Sequence, residues 1–277
     1  MVHRAWDMLR AKPRASLGAV IVLAYLGMAL FAPWVAGKDP LAQDLSLALN
    51  GPRLGAWFGN DEYGRDLFSR IAFGTRLSFV IGAAATLIAL ACGGTLGMAA
   101  GYLGGWFDTL AMRVIDVMLA FPSFLLALGI VSILGPGILN VVIAIGIFSI
   151  PPFSRMARAS ALAVVNLDYV ETARGLGAGQ WQIMRRHVIP NSISPLIVLS
   201  TLRMATAIIT AAGLSFLGLG AQPPAPEWGS MLSAGREYIR VAPHIVTVPG
   251  LAIMFLVLGL NLLGDGLRDV LDPRLRQ

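Results

Sequence analysis

The sequence predicts an all-α polytopic membrane protein, on three observations. Apolar residues make up 56% of the 277 residues and charged residues only 13%, with a mean hydropathy of +0.73. A soluble domain carries about a quarter charged residues. Apolar runs long enough to cross a bilayer, about 20 residues each, recur along the chain. These runs are continuous rather than alternating, so helices and not barrel strands are the spanning element.

The elements follow in order. Residues 1–14 are short and basic, and the run "SLGAVIVLAYLGMALFAPWVA" (16–36) reads as an uncleaved first helix, longer than a signal-peptide core. The first unit is therefore 1–36. An extracytoplasmic loop, 37–74, is expected to end in a short amphipathic helix lying in the interface, with Leu67, Phe68, Ile71 and Ala72 on one face. The remainder, 75–277, forms a five-helix core. Its spans are predicted at about 76–102, 110–134, 138–156, 193–219 and 245–263, with a tight hairpin at "GPG" (135–137). In the first of these, Gly93, Gly97, Gly101 and Gly105 recur every four residues below Ala85 and Ala89, a small-residue stripe that lets another helix approach closely.

Six spans place both ends on one side. Thirteen lysines and arginines fall on that side and seven on the other, so both termini and the polar segment 157–191 are expected in the cytoplasm. The net charge of +6 is then a topology signal. Nucleic-acid binding is set aside, because no basic cluster is interleaved with stacking aromatics. Cys92 is the only cysteine and reads as a small packing residue; the three histidines are too scattered for a metal site.

Motifs for chemistry are missing. "GLGAG" (175–179) tempts a nucleotide-loop reading but misses the required spacing at Gln180, and no phosphate-cradling loop or hydrolase signature occurs elsewhere. The segment "NLDYVETARGLGAGQWQIMRRHVIPNSISP" instead reads as helix, turn, helix. Asp168 is expected to cap the first helix with Glu171 in its first turn. Val170, Ala173 and Leu176 share a face, and Gly175, Gly177 and Gly179 break the helix. Trp181, Met184 and Val188 give the second helix an apolar face. Pro190 and Pro195 bracket the return to the membrane. A re-entry loop needs only a few residues, so a water-exposed helical hairpin of this length suggests a docking partner with a groove.

The residues E-T-A-x-x-x-G (171–177) followed by H-V-I-P-N (187–191) resemble the coupling loop of ABC importer permeases. Thr172 stands for the family's middle alanine, His187 for its isoleucine and Ile189 for its leucine. "FGNDEYGRDLFSRIAFGTRLS" (58–78), "MRVIDVMLAFPSFLLAL" (112–128), "AAGLSFLGLGAQPPAPEWGSML" (211–232) and "NLLGDGLRDVLDPRLR" (261–276) resemble further hallmarks of the dipeptide and oligopeptide branch, its C-type subunit, with Asn60 where that branch has threonine. The "GAQPPAPEWG" loop with "VAPH" is most similar to permeases grouped with glutathione import; nickel chelates are transported by further relatives.

The resemblance implies a type I importer permease in the bacterial inner membrane, with six helices and no catalytic residue. Its implied partners are a second homologous permease, two cytoplasmic ATPases that bind ATP and Mg²⁺, an extracytoplasmic solute-binding protein and membrane lipid. No cofactor is expected in this chain. Alternating access is the implied mechanism, with peptides as the default substrate. Tyr169, Glu171, Thr172, Ala173, Arg174, Leu176, Gly177, His187 and Pro190 are the implied ATPase-coupling residues. Arg174 either pairs with Glu171 on its own helix or meets the partner. His187 reads as an ordinary helix position. Arg203, with Thr206 and Thr210, is a candidate for the translocation pathway; a structural ion pair is the other reading of Arg203. Arg113 and Asp116 are expected to pair. Asp265, Arg268 and Asp269 anchor the exit of the last span. Trp228 and Tyr238 are either interfacial aromatics or contacts to the binding protein. A self-contained secondary transporter would need intramembrane carboxylates, which are missing here; Asn140 and Asn261 are the clear deep amides.

Overall fold

A computed structural model of the chain describes residues 13–271. The basic residues Arg4, Arg10 and Lys12, and the tail with Arg274 and Arg276, lie outside it. The helices are α1 (Pro13–Leu30), α2 (Ala32–Ala36), α3 (Leu67–Ala89), α4 (Thr95–Leu103), α5 (Gly105–Leu119), α6 (Ser123–Leu134), α7 (Ile138–Val165), α8 (Asp168–Gly175), α9 (Gln180–Ile183), α10 (Ile189–Phe216), α11 (Trp228–Gly235) and α12 (His244–Leu271). Wide π turns, Leu90–Gly94 and Met184–Val188, join α3 to α4 and α9 to α10, so each pair runs as one long span. Five described helices are long and apolar enough to cross a membrane, and six if the bent pair α5–α6 counts as one.

Several boundaries differ from the expectation. The amphipathic interfacial helix at 66–74 does not exist separately; it is the start of α3, capped by Asp66, whose carboxylate accepts from Ser69 N–H at 3.0 Å. The third span breaks after Leu119, and α5 and α6 meet at 88°. Pro122 causes this: it lacks an N–H and biases Phe121 away from helical backbone. The fourth helix runs on to Val165 through Pro151 and Pro152. The fifth begins at Gln180, so Pro190 and Pro195 lie inside one continuous rod instead of bracketing an entry. Pro190 is tolerated because the π turn before it relaxes the backbone spacing that its ring would otherwise crowd.

The middle of the molecule is a three-helix seam. Ile81 and Ala85 of α3, Val141, Ile145 and Phe148 of α7, and Ala207, Ala211 and Leu214 of α10 form its buried cluster. Beside it, α4 meets α7 backbone to backbone. A Cβ on Gly93 would stand 2.5 Å from the Ile150 carbonyl oxygen, and one on Gly101 2.7 Å from that of Arg158. At Gly97 the Ser154 carbonyl is closer still. Only glycine permits this approach, which adds Cα–H···O contacts to dispersion. Gly105 does not share the stripe. The chain turns at Gly104 and Gly105, both in the left-handed region (φ 64° and 58°), and nothing approaches within 4 Å of a Cβ there. Cys92 also departs from expectation: it is exposed on the π turn rather than packed. Asn140 is not a deep amide either; it donates to the Leu134 and Gly135 carbonyls and closes the hairpin after α6.

The opposite end from α8 is closed by the loop 37–66. Asp61 sits at its centre, 2% exposed. One carboxylate oxygen accepts from the Tyr63 and Arg65 N–H groups at 2.9 Å each, and the other from Arg65 Nε at 2.6 Å, with Arg70 Nε at 3.4 Å. Arg70 also donates to the carbonyls of Pro40 and Pro224, so it ties three loop segments to the first turn of α3. Trp228 is not an interfacial aromatic: it is wholly buried, donates to the Ile71 carbonyl at 3.3 Å and meets the Tyr25 ring edge-on at 6.1 Å. Tyr238 packs against the same cluster. Beside Trp228, Glu227 caps α11 through Ser230 N–H at 2.8 Å, and burial pushes its carboxyl above the usual range despite that bond and those from Gly229 and Ser215.

The glycine seam generates a test. Gly97→Val should destabilise the protein by about 1–3 kcal/mol through overpacking, read as a lowered unfolding temperature in detergent. Gly129, in α6, has open space around it, so Gly129→Ala should leave that temperature unmoved. Equal behaviour of the two variants would refute the seam.

Candidate functional site

The site is built around α8, an eight-residue helix too short to persist alone. Its backbone starts at Leu167, which is extended and offers no side-chain cap; Asp168 is the first helical residue and not the cap. Asp168 and Glu171 in the first turn and Arg174 in the last all suit the helix dipole. Thr172 Oγ1 donates back to the Asp168 carbonyl at 2.9 Å, so its small side chain folds onto the helix.

One residue anchors α8. Val170 is 0% exposed and joins Ala161 and Val164 at the end of α7 with Ile183 and Val188, while Tyr102 of α4, Ala178 and Met184 close the cluster. The expected apolar face is narrower than the spacing suggested. Ala173 is half-buried, but Leu176 is 84% exposed and Trp181 72%. Both large side chains project away from the protein beside Tyr169, Glu171 and Arg174, which are exposed as well. Among the described residues no ion pair joins Glu171 to Arg174, so the local pairing is not made.

The turn after α8 is set by hydrogen bonds. Ala178 N–H donates to the Ala173 carbonyl and Gly177 N–H to that of Arg174, each at 3.0 Å. This is a Schellman cap, and it requires a left-handed residue at its penultimate position. Gly177 supplies it with φ 85°. Gly175 and Gly179 have ordinary backbone, so one glycine of the three makes the turn.

The returning strut is tied on both sides. Tyr102 Oη donates to the Gln180 carbonyl at 3.0 Å. The Tyr169 and His187 rings lie 5.7 Å apart, and Asn191 donates to the Tyr169 hydroxyl and the His187 carbonyl. His187 is thus a half-buried bridge between α8 and the rod. Pro190 is exposed in the rod beyond it. Two further ion pairs steady the neighbouring helices: Arg158 grips Asp108 through two hydrogen bonds of 2.5 and 2.6 Å, and Arg155 meets Asp116 at 2.7 Å. The expected Arg113–Asp116 pair is replaced by the latter, because α7 places a guanidinium closer to Asp116 than the local helix does.

The second group of candidates stands apart on α10. Arg203, Thr206 and Thr210 follow i, i+3, i+7 spacing and so share one face. Arg203 is half-buried, Thr206 exposed and Thr210 buried. The threonine hydroxyls donate to the Leu202 and Thr206 carbonyls. Arg203 has no ion pair among the described residues. Arg203 stands about 18 Å further along the rod than Asn191, which bonds to Tyr169 of α8. Among the described residues no cluster of three metal-ligating side chains occurs.

Residues 93–277, which hold α8 and the glycine seam, match the family described as binding-protein-dependent transport system inner membrane component. The chain belongs to this family. Residues 1–52 match the N-terminal transmembrane domain of oligopeptide transport permease C. A glutathione transport system permease protein, GsiD, of Escherichia coli O1:K1 / APEC is 46% identical over 99% of this permease and 91% of its own length. A dipeptide transport system permease protein, DppC, of Alkalihalophilus pseudofirmus is 45% identical over 99% and 90%. In fold, the permease is similar to an inward-facing conformation of the MetNI methionine ABC transporter, with a TM-score of 0.61 and 15% identity, covering 74% of this chain and 98% of that one. The architecture is therefore the type I ABC importer permease, and ATP hydrolysis resides in separate subunits.

Sequence reasoning did not foresee Asn191 and Tyr102 as the groups that lock the strut; neither carries a charge or a periodicity that marks it. Gly177→Ala should cost about 1–2 kcal/mol locally, the penalty of left-handed backbone for a residue with a Cβ. Hydrogen exchange at residues 170–178 should speed up by about tenfold or more, while Gly175→Ala, whose Cβ meets nothing, should leave it as it was.

Proposed function

We propose that this permease moves short peptides across the bacterial inner membrane, as one half of a translocation pathway driven by cytoplasmic ATPases. Both ends of the chain and α8 lie on the cytoplasmic side in this reading. The outer loop, 37–66, faces the binding protein. The observation that carries the coupling role is the way α8 projects: one buried anchor, Val170, holds a helix whose Tyr169, Glu171, Arg174 and Leu176 all stand outward. An exposed leucine beside exposed charges and an aromatic is the composition of a surface that a groove covers. Thr172 and Ala173 keep the helix slim enough to enter such a groove, and Gly177 turns the chain back before it meets the wall. His187 and Pro190 lie on the strut that receives the motion.

The complete machine on this reading contains a second permease, two ATPases that hold ATP and Mg²⁺, and an extracytoplasmic binding protein. ATP binding draws the ATPases together and moves α8 with them. The α9–α10 rod then tilts, and the pathway opens outward to receive the peptide. Hydrolysis lets it return. The substrate class rests on the two relatives, one named for glutathione transport and one for dipeptide transport. Arg203, Thr206 and Thr210 line the pathway in the same scheme.

Glu171→Lys puts a cation into the first turn of α8, where the helix dipole and the docking groove both favour an anion. Membrane insertion should be normal, whereas peptide uptake and binding-protein-stimulated ATP hydrolysis in proteoliposomes should fall at least about tenfold. Wild-type uptake by this variant would remove α8 from the coupling path.

A further inference from the structure

At the end opposite α8, the loop 37–66 and the start of α3 border a cavity of about 100 Å³. Space of that size takes a few waters or the head of one side chain. Residues 61–65, the first turn of α3, the turn 223–225, α11 and the start of α12 all contribute to its wall. The floor is buried, with Arg70, Leu67, Met231 and Ile245. The rim is exposed, with Tyr63, Pro223, Pro224 and Ala234. A polar group set in a buried, mostly apolar floor below an exposed rim is the form of a pocket that receives a group from outside.

The polar group of the floor is Arg70, whose side chain is 5% exposed. Its Nη1 is fully used, donating to the Pro40 and Pro224 carbonyls at 3.2 and 3.4 Å. Its Nε lies 3.4 Å from Asp61, in an ion pair but outside hydrogen-bond geometry, so this N–H is buried without an acceptor. Nη2 donates to no group among the described residues. Nε and Nη2 form one edge of the guanidinium fork, so one whole edge is unused. The neighbouring charges decide what suits it. Asp61 and Glu62 both pair with Arg65, at 2.6 and 3.0 Å. With Arg70 the two acids and two bases cancel. A carboxylate guest would set three anions against two cations beside Asp61, whereas an uncharged oxygen adds no repulsion.

We infer that this pocket is a docking subsite for the extracytoplasmic binding protein, and that it takes an amide oxygen onto the free edge of Arg70. The oxygen belongs to an asparagine or glutamine side chain or to a main-chain carbonyl at a loop tip of that protein. This inference rests on the reading above that sets the binding protein at this end. Arg70 already serves two carbonyls of its own chain through Nη1. Those bonds also fix the guanidinium plane before the guest arrives, which lowers the entropic cost of the contact. Tyr63 and the two prolines form a collar that keeps water from the bond once it is made.

The test measures how tightly purified binding protein, loaded with peptide, binds the complete transporter in nanodiscs. Ala234→Leu fills the cavity from its rim. Affinity should fall about tenfold, the size of one hydrogen bond to a charged group, with the unfolding temperature unmoved. Unchanged affinity overturns the subsite. Arg70→Lys keeps the cation but loses the fork, and it should weaken binding by a similar factor. The double variant should then be no weaker than either single one, whereas additive losses separate the two residues and overturn the shared pocket. The gap between wild type and Ala234→Leu should persist from about 0.05 to about 0.5 M salt. A gap that closes with salt means a charged guest and overturns the amide assignment. Finally, a photoreactive label on the cysteine of Ala234→Cys, in a Cys92→Ala background, should capture the binding protein. Leu54, fully exposed at the tip of the loop, is the comparison. Capture from Leu54→Cys but not from Ala234→Cys overturns the pocket and leaves the binding protein at this end. Capture from neither removes the reading of this end as the outer one, and the subsite with it.

Discussion

The arrangement depends on the close approach of α4 to α7. Where Gly93, Gly97 and Gly101 meet the carbonyls of Ile150, Ser154 and Arg158, two backbones touch with no side chain between them. That contact fixes the depth and tilt of α7, and with it the position of Ala161 and Val164. Those two residues form one side of the socket that holds Val170. Tyr102, near the end of α4, supplies another wall of the same socket and a hydrogen bond to the strut. The short helix α8 therefore inherits its place from a seam some distance away. In a membrane, where apolar side chains gain nothing by leaving lipid for protein, such close packing is the main available source of association.

The end opposite α8 is organised on a different principle. Asp61, Arg65 and Arg70 are buried there, and removing any one would strand the others without water. Neutral hydrogen bonds alone would hold the loop less specifically, because Asp61 fixes the Tyr63 and Arg65 backbone as well as two guanidinium groups. Gly59 and Gly64, at φ 79° and 72°, let the chain fold tightly around it. The stretch "GNDEYGRD" is thus a folding unit, and its charges belong to the interior of the loop rather than to its surface.

The spans were legible because hydrophobicity over twenty residues outweighs any local detail. So was the helix-turn-helix between two apolar runs, seen as Asp168–Gly175 and the rod that starts at Gln180. What escaped were features set by single backbone positions or by distant partners. The four-residue glycine period continued past the true helix end at Leu103, since nothing in the period registers that Gly104 and Gly105 turn left-handed. By spacing Leu176 shares a face with Val170, and Trp181 with Met184 and Val188, yet both project outward while Val170 and Val188 are buried, because a short helix needs only one anchor. Trp228 looked like a surface aromatic and is wholly buried, since its partners Ile71 and Tyr25 lie over 150 residues away in sequence. Asp116 found Arg155 instead of Arg113 for the same reason.

The π turn at Met184–Val188 has a mechanical consequence. It keeps the backbone helical across Pro190, so Trp181 and Arg203 belong to one strut without a hinge. From Ile183 to Arg203 the strut measures about 30 Å. If its outer end is held by the Phe216 turn, a tilt of about 10° displaces the Ile183 end by several ångströms and Arg203 by less than half as much. The π turn thus lets the rod carry Pro190 without a break, and the geometry gears a large excursion at the Ile183 end down to a smaller one at Arg203.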